Sequence, residues 1–190
     1  MQIVETSLRD VKIIHERRFG DDRGWFAEVF NSSSYAMAGL PTGFAQDNQS
    51  CSRKGVLRGL HYQLGRPQGK LVRVLRGEIW DVAVDLRRSS PDFGRWAGFY
   101  LKPLTGSGDL ELLWIPEGFA HGFLVMSDIA EVLYKTTDLY HPQEERSILW
   151  SDPKLAIGWP LHELDGLDPS VSAKDASGSL FAEADLPATF

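Results

Sequence analysis

Short apolar stretches separated by glycine and proline constrain the fold of this chain more than any other feature. Eighteen Gly and ten Pro are distributed over 190 residues, and the apolar stretches between them are only a few residues long. Gly and Pro interrupt regular elements, and short strands at this spacing are typical of a β-sandwich or β-barrel. The pattern therefore predicts an all-β protein with few helices.

The clearest strand lies in residues 78–87, EIWDVAVDLR. Side chains alternate between the two faces of a strand, so the apolar side chains that begin at Trp80 share one face and Asp81 and Asp85 lie on the other. This pattern predicts a half-buried strand with carboxylates on its second face. Five more strands are predicted at residues 71–75, 96–101, 111–115, 122–126 and 131–136. A short helix is predicted at residues 32–38, with capping side chains at 31–34.

The length of 190 residues fits one domain, and neither a linker nor an internal repeat divides the chain. We expect a single domain over residues 1–190. It has an N-terminal arm at about residues 1–50 and an irregular tail, with at most one helical turn, at about residues 160–190.

Charge and composition limit which binding partners and which cellular compartment we expect for this chain. The net charge of -6 argues against nucleic-acid binding, which needs a concentrated basic face. The sequence contains no long apolar run and no signal-peptide pattern, so we expect no membrane partner. The only cysteine, Cys51, cannot form an intramolecular disulfide, and we therefore expect a cytoplasmic protein.

Seven cations occupy a segment that contains no Asp or Glu before Glu78. One interpretation is a solvated basic loop; the other is a site for a small anion such as a diphosphate. The seven are Arg53, Lys54, Arg58, Arg66, Lys70, Arg73 and Arg76.

The segment IPEGFAHGFLVM contains Pro116, Gly118 and His121 in the P-x-G-x-x-H order of the second cupin motif. The sequence here resembles a cupin jelly-roll barrel, in which this histidine points into the barrel mouth. The alternative is a histidine satisfied within an ordinary hairpin. The resemblance makes the all-β prediction more specific: we expect a jelly roll with a few short helices.

The partner segment, GVLRGLHYQ, departs from a metal-binding cupin. Where such a cupin has H-x-H followed by glutamate, this chain has His61 and Gln63, with Lys70 as the next ionisable residue after Arg66. An amide and an ammonium are poor replacements for metal ligands, and the ammonium repels a cation. We therefore expect no metal.

An imidazole can both take and return a proton near neutral pH, so His61 is a candidate general base. The alternative is a structural histidine within a strand. Strict alternation would place Arg58 and His61 on opposite faces, which conflicts with both lining one pocket. A bulge at Gly59 would remove the conflict.

Six segments, in order, resemble the dTDP-4-dehydrorhamnose 3,5-epimerase family and span roughly residues 20–175. The resemblance implies epimerisation at C3 and C5 of dTDP-4-keto-6-deoxy-D-glucose to dTDP-4-keto-L-rhamnose, without a cofactor. No G-x-G-x-x-G fingerprint of a dinucleotide site occurs. The segments are DDRGWFAEVF, GVLRGLHYQ, DVAVDLRRSSPDFGRW, PEGFAHGF, LYKTTDLYHPQEERSILW and DPKLAIGWP.

The resemblance also implies a role for individual residues. His61 is the base, Asp175 orients it, Tyr134 is the acid on the opposite face, and Lys70 lies beside the C4 oxygen. The substrate-binding residues that it implies are Gln46, Asn48, Arg58, His121, Tyr140 and Lys174, together with Arg23, Phe26 and Glu28. The last three reach into the site of a neighbouring subunit, which implies a homodimer that exchanges its N-terminal arms.

Three alternatives remain open at this point. A 3- or 5-monoepimerase, or a ketoisomerase, of a related dTDP-deoxysugar pathway would share the fold and substrate class. A non-catalytic cupin would bind the sugar nucleotide but would have no need of both His61 and Tyr134. Lys70 could also form a Schiff base with the ketone.

Overall fold

A computed structural model describes residues 1–103 and 108–187 of the chain. Strands dominate the described part, which confirms the all-β prediction. The strands are β1 Gln2–Glu5, β2 Lys12–Glu16, β3 Arg18–Asp21, β4 Gly24–Ala27, β5 Gln46–Arg53, β6 Val56–Gln63, β7 Lys70–Arg76, β8 Ile79–Asp85, β9 Trp96–Leu101, β10 Leu110–Ile115, β11 Phe119–Val125, β12 Ile129–Thr136, β13 Glu145–Ser147 and β14 Ser170–Val171. The helices are α1 Ser32–Met37, a 3-10 turn at Leu161–Glu163 and α2 Ala173–Ala176.

Two antiparallel sheets form the body of the molecule. The first has the order β1-β2-β10-β7-β12-β5, and the second has the order β13-β6-β11-β8-β9, with β14 added parallel to β6. Strands β3 and β4 form a separate hairpin. The crossovers between sequentially distant strands are those of a jelly roll rather than of an up-and-down barrel.

The principal core fills the space between the two sheets. Val72 and Leu113 come from the first sheet and Ala83 and Phe123 from the second, and all four are buried in one apolar cluster. Tyr134 packs against the edge of this cluster. The sheets therefore pack face to face, and a side chain at the edge of their interface can line a cavity between them.

The prediction that residues 78–87 form a half-buried strand was wrong. All seven residues of β8 are buried. The inner face, with Ile79 and Ala83, belongs to the core between the sheets. The outer face packs Trp80 against Trp159, which belongs to a second apolar cluster containing C-terminal residues. The carboxylate face that the sequence pattern left to solvent is therefore buried between the sheets, and the C-terminal segment covers the apolar face that begins at Trp80.

The other predicted strands agree with β7, β9, β10, β11 and β12 to within three residues at each end. The predicted helix corresponds to α1, and its cap is Asn31, whose side chain accepts hydrogen bonds from the amides of Ser33 and Ser34. The tail contains the 3-10 turn, β14 and α2, which is more regular structure than one helical turn. Its last three residues, 188–190, lie outside the described residues.

Within residues 1–103 and 108–187, no helix is long and apolar enough to cross a membrane.

Candidate active site

A cavity of about 300 Å³ opens between the two sheets. This volume lies at the lower end of the range for small-molecule sites, about 300 to 1,000 Å³. Strands of both sheets contribute to its walls. The lining residues are Gln46, Asn48, Ser50, Arg58, His61, Tyr62, Gln63, Gln68, Lys70, His121, Gly122, Phe123, Tyr134, Tyr140 and Glu145.

His61 lies on β6 in the second sheet and is held from behind by Asp175. Its Nε2 lies 2.6 Å from Asp175 Oδ1, and Asp175 itself is buried. Burial raises the pKa of Asp175, but the hydrogen bond and charge of His61 outweigh that effect and hold the pKa below its usual value. Asp175 is therefore a carboxylate that fixes the imidazole ring.

Helix α2 brings Asp175 to this position. Ser172 caps the helix by accepting a hydrogen bond from the Asp175 amide at 3.1 Å, and β14 pairs the preceding residues with β6. The tail and the strand that carries His61 are thus joined directly. This explains how a residue 114 positions away in sequence comes to contact His61.

The bulge predicted at Gly59 is confirmed. The β6–β11 ladder shifts register there, since His61 pairs with His121 but Arg58 pairs with Phe123. Gly59 has a φ of 116°, and a Cβ at this position would lie 2.5 Å from the Gly122 Cα. Only glycine fits, and the bulge turns Arg58 and His61 into the same cavity.

Tyr134 and Lys70 enter the cavity from the first sheet. Tyr134 is on β12, and Lys70 is on the neighbouring β7, paired with Thr136. Burial raises the pKa of Tyr134, which Arg58 partly opposes, so the phenol keeps its proton at neutral pH. Burial lowers the pKa of Lys70 to about 8, although nearby carboxylates favour the charge. The cavity therefore holds a neutral phenol beside a mostly charged ammonium at pH 7.

His121 forms a second histidine–carboxylate pair at the base of the cavity. Its Nε2 lies 2.8 Å from Asp81 Oδ2, and both side chains are buried. Burial raises the pKa of Asp81, and His121 and Lys70 oppose the rise. Asp81 belongs to β8 and His121 to β11, which are neighbours in the second sheet.

At the rim, Tyr140 is half exposed and its hydroxyl donates to Glu145 Oε2 at 2.6 Å. Lys174 also contacts Glu145 Oε2. Burial raises the pKa of Glu145, but the hydrogen bonds from Lys174 and Tyr140 reverse this and lower it overall. Gln46 donates to Asn48 Oδ1 at 2.7 Å along the edge strand β5.

The seven-residue basic segment does not form a single anion site. Arg58 and Lys70 line the cavity, whereas Lys54 pairs with Asp165 and Arg66 pairs with Asp138 at 2.8 Å. The cluster disperses because alternating strand positions and turns send neighbouring side chains in different directions. Two cations remain available to a ligand in the cavity.

Three of the predicted substrate-binding residues, all from the N-terminal region, do not line the cavity. Arg23 and Phe26 lie on the exposed β3–β4 hairpin, and Glu28 follows it as an exposed residue. The hairpin displays large apolar surface, with Trp25 56% and Phe26 69% exposed. The other predicted binding residues line the cavity, except Lys174, which reaches it through Glu145.

The chemistry of the donor set is unfavourable for a metal. Gln63 stands where a metal-binding cupin has a metal ligand, but the oxygen and the nitrogen of its amide both bind backbone groups of the protein. The ammonium of Lys70 would repel a metal cation. Among the described residues, no group of three or more His, Cys, Asp or Glu side chains could hold a metal ion.

Sequence reasoning did not predict several residues that line the cavity, namely Ser50, Tyr62, Gln68, Phe123 and Glu145. Ser50 could have been found from strand periodicity, since it follows Gln46 and Asn48 at two-residue steps on β5. Glu145 gave no signal, because a carboxylate is not expected beside a site for an anion.

An imidazole and a phenol that reach one cavity from opposing sheets of a jelly roll suit proton transfer on two faces of a ligand, which is the chemistry of the class of cupin-type carbon epimerases. Comparison with known proteins identifies the family. The model of the family described as dTDP-4-dehydrorhamnose 3,5-epimerase matches residues 5–183. The chain belongs to this family.

Individual relatives agree along the whole chain. The dTDP-4-dehydrorhamnose 3,5-epimerase of Pseudomonas aeruginosa is 50% identical over 186 residues, which cover 97% of this chain and 98% of the relative. That of Shigella flexneri is 50% identical over 187 residues, with coverage of 97% and 98%. The solved structure of dTDP-6-deoxy-D-glucose-3,5-epimerase from Legionella pneumophila, in complex with dTDP-4-keto-L-rhamnose, is 48% identical with a TM-score of 0.89. It covers 98% of this chain and 97% of that chain.

Proposed function

We propose that this epimerase inverts C3 and C5 of dTDP-4-keto-6-deoxy-D-glucose to give dTDP-4-keto-L-rhamnose, with His61 as the base and Tyr134 as the acid. The observation that carries the assignment is that these two side chains line one cavity from different sheets. A sugar ring held between the sheets has the imidazole on one face and the phenol on the other. This arrangement is what inversion at carbon requires.

The first step removes a proton from the carbon next to the ketone. The ring nitrogen of His61 that does not contact Asp175 takes the proton from C3 or C5, and the electron pair of the C–H bond moves onto the C4 oxygen. The imidazolium that forms lies 2.6 Å from the Asp175 carboxylate, which stabilises it.

The enolate oxygen is stabilised by the Lys70 ammonium. Lys70 is only 7% exposed, so water screens its charge weakly. One preorganised donor of this kind contributes about 3 to 4 kcal/mol to the stability of an oxyanion. A Schiff base is not needed, because the ammonium as it stands supplies this stabilisation.

The second step delivers a proton to the other face of the same carbon. Tyr134 donates its phenolic proton, the C4 carbonyl re-forms and the configuration is inverted. Solvent then returns a proton to the phenolate and takes one from the imidazolium. Atoms and charge balance without an oxidant, a reductant or a metal, and we propose that the enzyme is metal-independent.

The nucleotide part of the substrate occupies the open end of the cavity. Arg58 in the cavity supplies positive charge for the diphosphate, as does Lys174, which pairs with Glu145 at the rim. Tyr140 offers an exposed aromatic face to the nucleotide base. Gln46 and Asn48 supply amide groups along β5, and His121 lies deeper, toward the sugar. These assignments are supported by the position of each side chain in the cavity or at its rim.

We further propose a cytoplasmic homodimer in which the β3–β4 hairpin of each copy completes the site of the other. The hairpin exposes Trp25 and Phe26, and Arg23 next to them has a side chain that is 89% exposed. Such surface suits burial against a second copy. Cys51, an exposed thiol, suits a reducing compartment.

Complementation tests the exchange of arms. Arg23→Ala and His61→Ala dimers are inactive separately; after mixing, a heterodimer has one site with both His61 and an intact Arg23. Random exchange makes half of the dimers heterodimers, so about a quarter of all sites regain activity. If the arm served its own chain, the mixture would stay inactive.

Hydrogen exchange tests the chemistry. In deuterated water the enzyme is expected to introduce deuterium at both C3 and C5, and His61→Ala is expected to abolish this while dTDP still binds. His162→Ala, at a histidine whose side chain is 82% exposed, is the matched control and keeps full exchange. Label at one carbon only would indicate a monoepimerase, and label at neither would indicate a non-catalytic cupin.

Metal independence is tested by dialysis against EDTA. The rate is expected to stay within about twofold of the untreated enzyme, because Lys70 supplies the electrostatic stabilisation. A rate that is lost and then restored by a divalent cation would contradict the proposal.

A further inference from the structure

The loop that carries Tyr140 is fixed by the side chain of Gln63. Gln63 is the last residue of β6 and is only 4% exposed. Its Nε2 donates to Leu139 O at 3.2 Å and to Arg66 O at 2.7 Å, and its Oε1 accepts from the His141 amide at 2.7 Å. The amide therefore holds the backbone on both sides of Tyr140.

The side chain of a second glutamine, Gln46, binds the backbone of Tyr140 itself. The Tyr140 amide donates to Gln46 Oε1 at 2.9 Å, so the backbones of residues 139, 140 and 141 are all bound by glutamine side chains. Tyr140 itself is 46% exposed, so packing around the ring does little to restrain it. Its orientation depends on the hydrogen bond from its hydroxyl to Glu145 and on the backbone that carries it.

We propose that Gln63 is a positioning residue for nucleotide binding: it holds the Tyr140 loop in the conformation that presents the aromatic ring to the base. The inference rests on the proposed contact between Tyr140 and the nucleotide. A loop ordered before binding does not lose its freedom when the ligand arrives, and this increases affinity. In a metal-binding cupin a metal ligand stands at the position of Gln63. In this chain the side chain at that position orders a loop of the substrate site instead.

The test is a comparison of KM and kcat in three single variants and one double variant. Gln63→Met removes the amide at similar length and without adding charge, and leaves three backbone groups without partners. It is expected to raise KM about tenfold and to change kcat less than threefold. The reason is that the lost nucleotide binding is common to the ground state and the transition state. Gln143→Met, the same change at an exposed position in the same loop, is the control and leaves both constants unaltered.

Tyr140→Ala separates the inference from the function on which it rests. It is expected to raise KM, and Gln63→Met added to it is expected to change KM less than twofold, because both act through one ring. If Tyr140→Ala leaves KM unaltered, the proposed nucleotide contact is wrong. If Tyr140→Ala raises KM but Gln63→Met does not, or if the two effects multiply, the positioning role is wrong.

Folding is checked separately by thermal unfolding of each variant. Should Gln63→Met fail to fold, Gln63→Asn decides, since it keeps the amide but retracts it by one methylene. It is expected to raise KM severalfold with kcat retained. An unaltered KM in Gln63→Asn, or a loss confined to kcat, would overturn the proposal.

Discussion

The pH dependence of the rate follows from the burial of Lys70. Its pKa is lowered to about 8, so the ammonium that stabilises the enolate is present below that pH and is lost above it. For a group with this pKa, about 90% is charged at pH 7 and about 10% at pH 9. We therefore predict that kcat/KM falls about tenfold between pH 7 and pH 9, if only the charged form stabilises the enolate.

The assay is the initial rate of epimerisation between pH 6.5 and 9.5, corrected for the rate without enzyme. Tyr134 does not account for the fall, because burial moves the pKa of the phenol upward, away from this range. Lys70→Arg keeps a positive charge at every pH tested, so the fall is expected to disappear even if the overall rate is lower. Lys102→Arg, at a side chain that is 64% exposed, is the control and retains the fall.

Two results would refute the reasoning. A rate that stays constant up to pH 9 would mean that the charge on Lys70 is not needed. The same fall in Lys70→Arg as in the wild type would mean that another group loses its proton.

Three further substitutions test the geometry of the site. Asp175→Asn is expected to lower kcat by about 10² to 10⁴ with little change in KM, since the amide no longer fixes the imidazole or stabilises its charge; a fall of less than threefold in steady-state kinetics would count against it. Tyr134→Phe is expected to lower product formation at least about 100-fold while deuterium still enters the unreacted substrate from the His61 side; loss of label by mass spectrometry, as in His61→Ala, would reject separate roles. Gly59→Ala is expected to cost about 3 kcal/mol, a fall in Tm of roughly 6 to 12 °C, because its Cβ would meet Gly122. Gly43→Ala, at an open position, should leave Tm unaltered; equal Tm values for the two variants would contradict the account of the bulge.

Local patterns were sufficient to predict the central strands, whereas the bulge also required the resemblance, which places Arg58 and His61 in one pocket. Strands β7 to β12 alternate clearly or are strongly apolar, and turn residues bound them. The conflict between Arg58 and His61 on one strand required an irregularity, and Gly59 was the residue able to adopt it. Here local backbone chemistry determines structure, so a single sequence contains the information.

Local sequence patterns do not predict contacts between residues that are distant in the sequence. Strand β5, QDNQSCSR, has almost no apolar residues, and it forms because all eight residues pair with β12 at the edge of a sheet. The carboxylate face of β8 is buried because the first sheet packs against it, with Val72 and Leu113 in the same apolar cluster as Ala83. The place of Asp175 behind His61 came from the family resemblance alone, since nothing near either residue in sequence indicates the contact. The dispersal of the basic segment likewise depends on partners such as Asp138 and Asp165.

The most direct test of the central claim is a crystal structure with dTDP-6-deoxy-D-glucose, which cannot react because C4 carries a hydroxyl group. We predict that His61 and Tyr134 contact opposite faces of the hexose, and that the C4 oxygen lies within hydrogen-bond distance of the Lys70 ammonium. A hexose with both side chains on one face, or with its C4 oxygen turned away from Lys70, would contradict the mechanism.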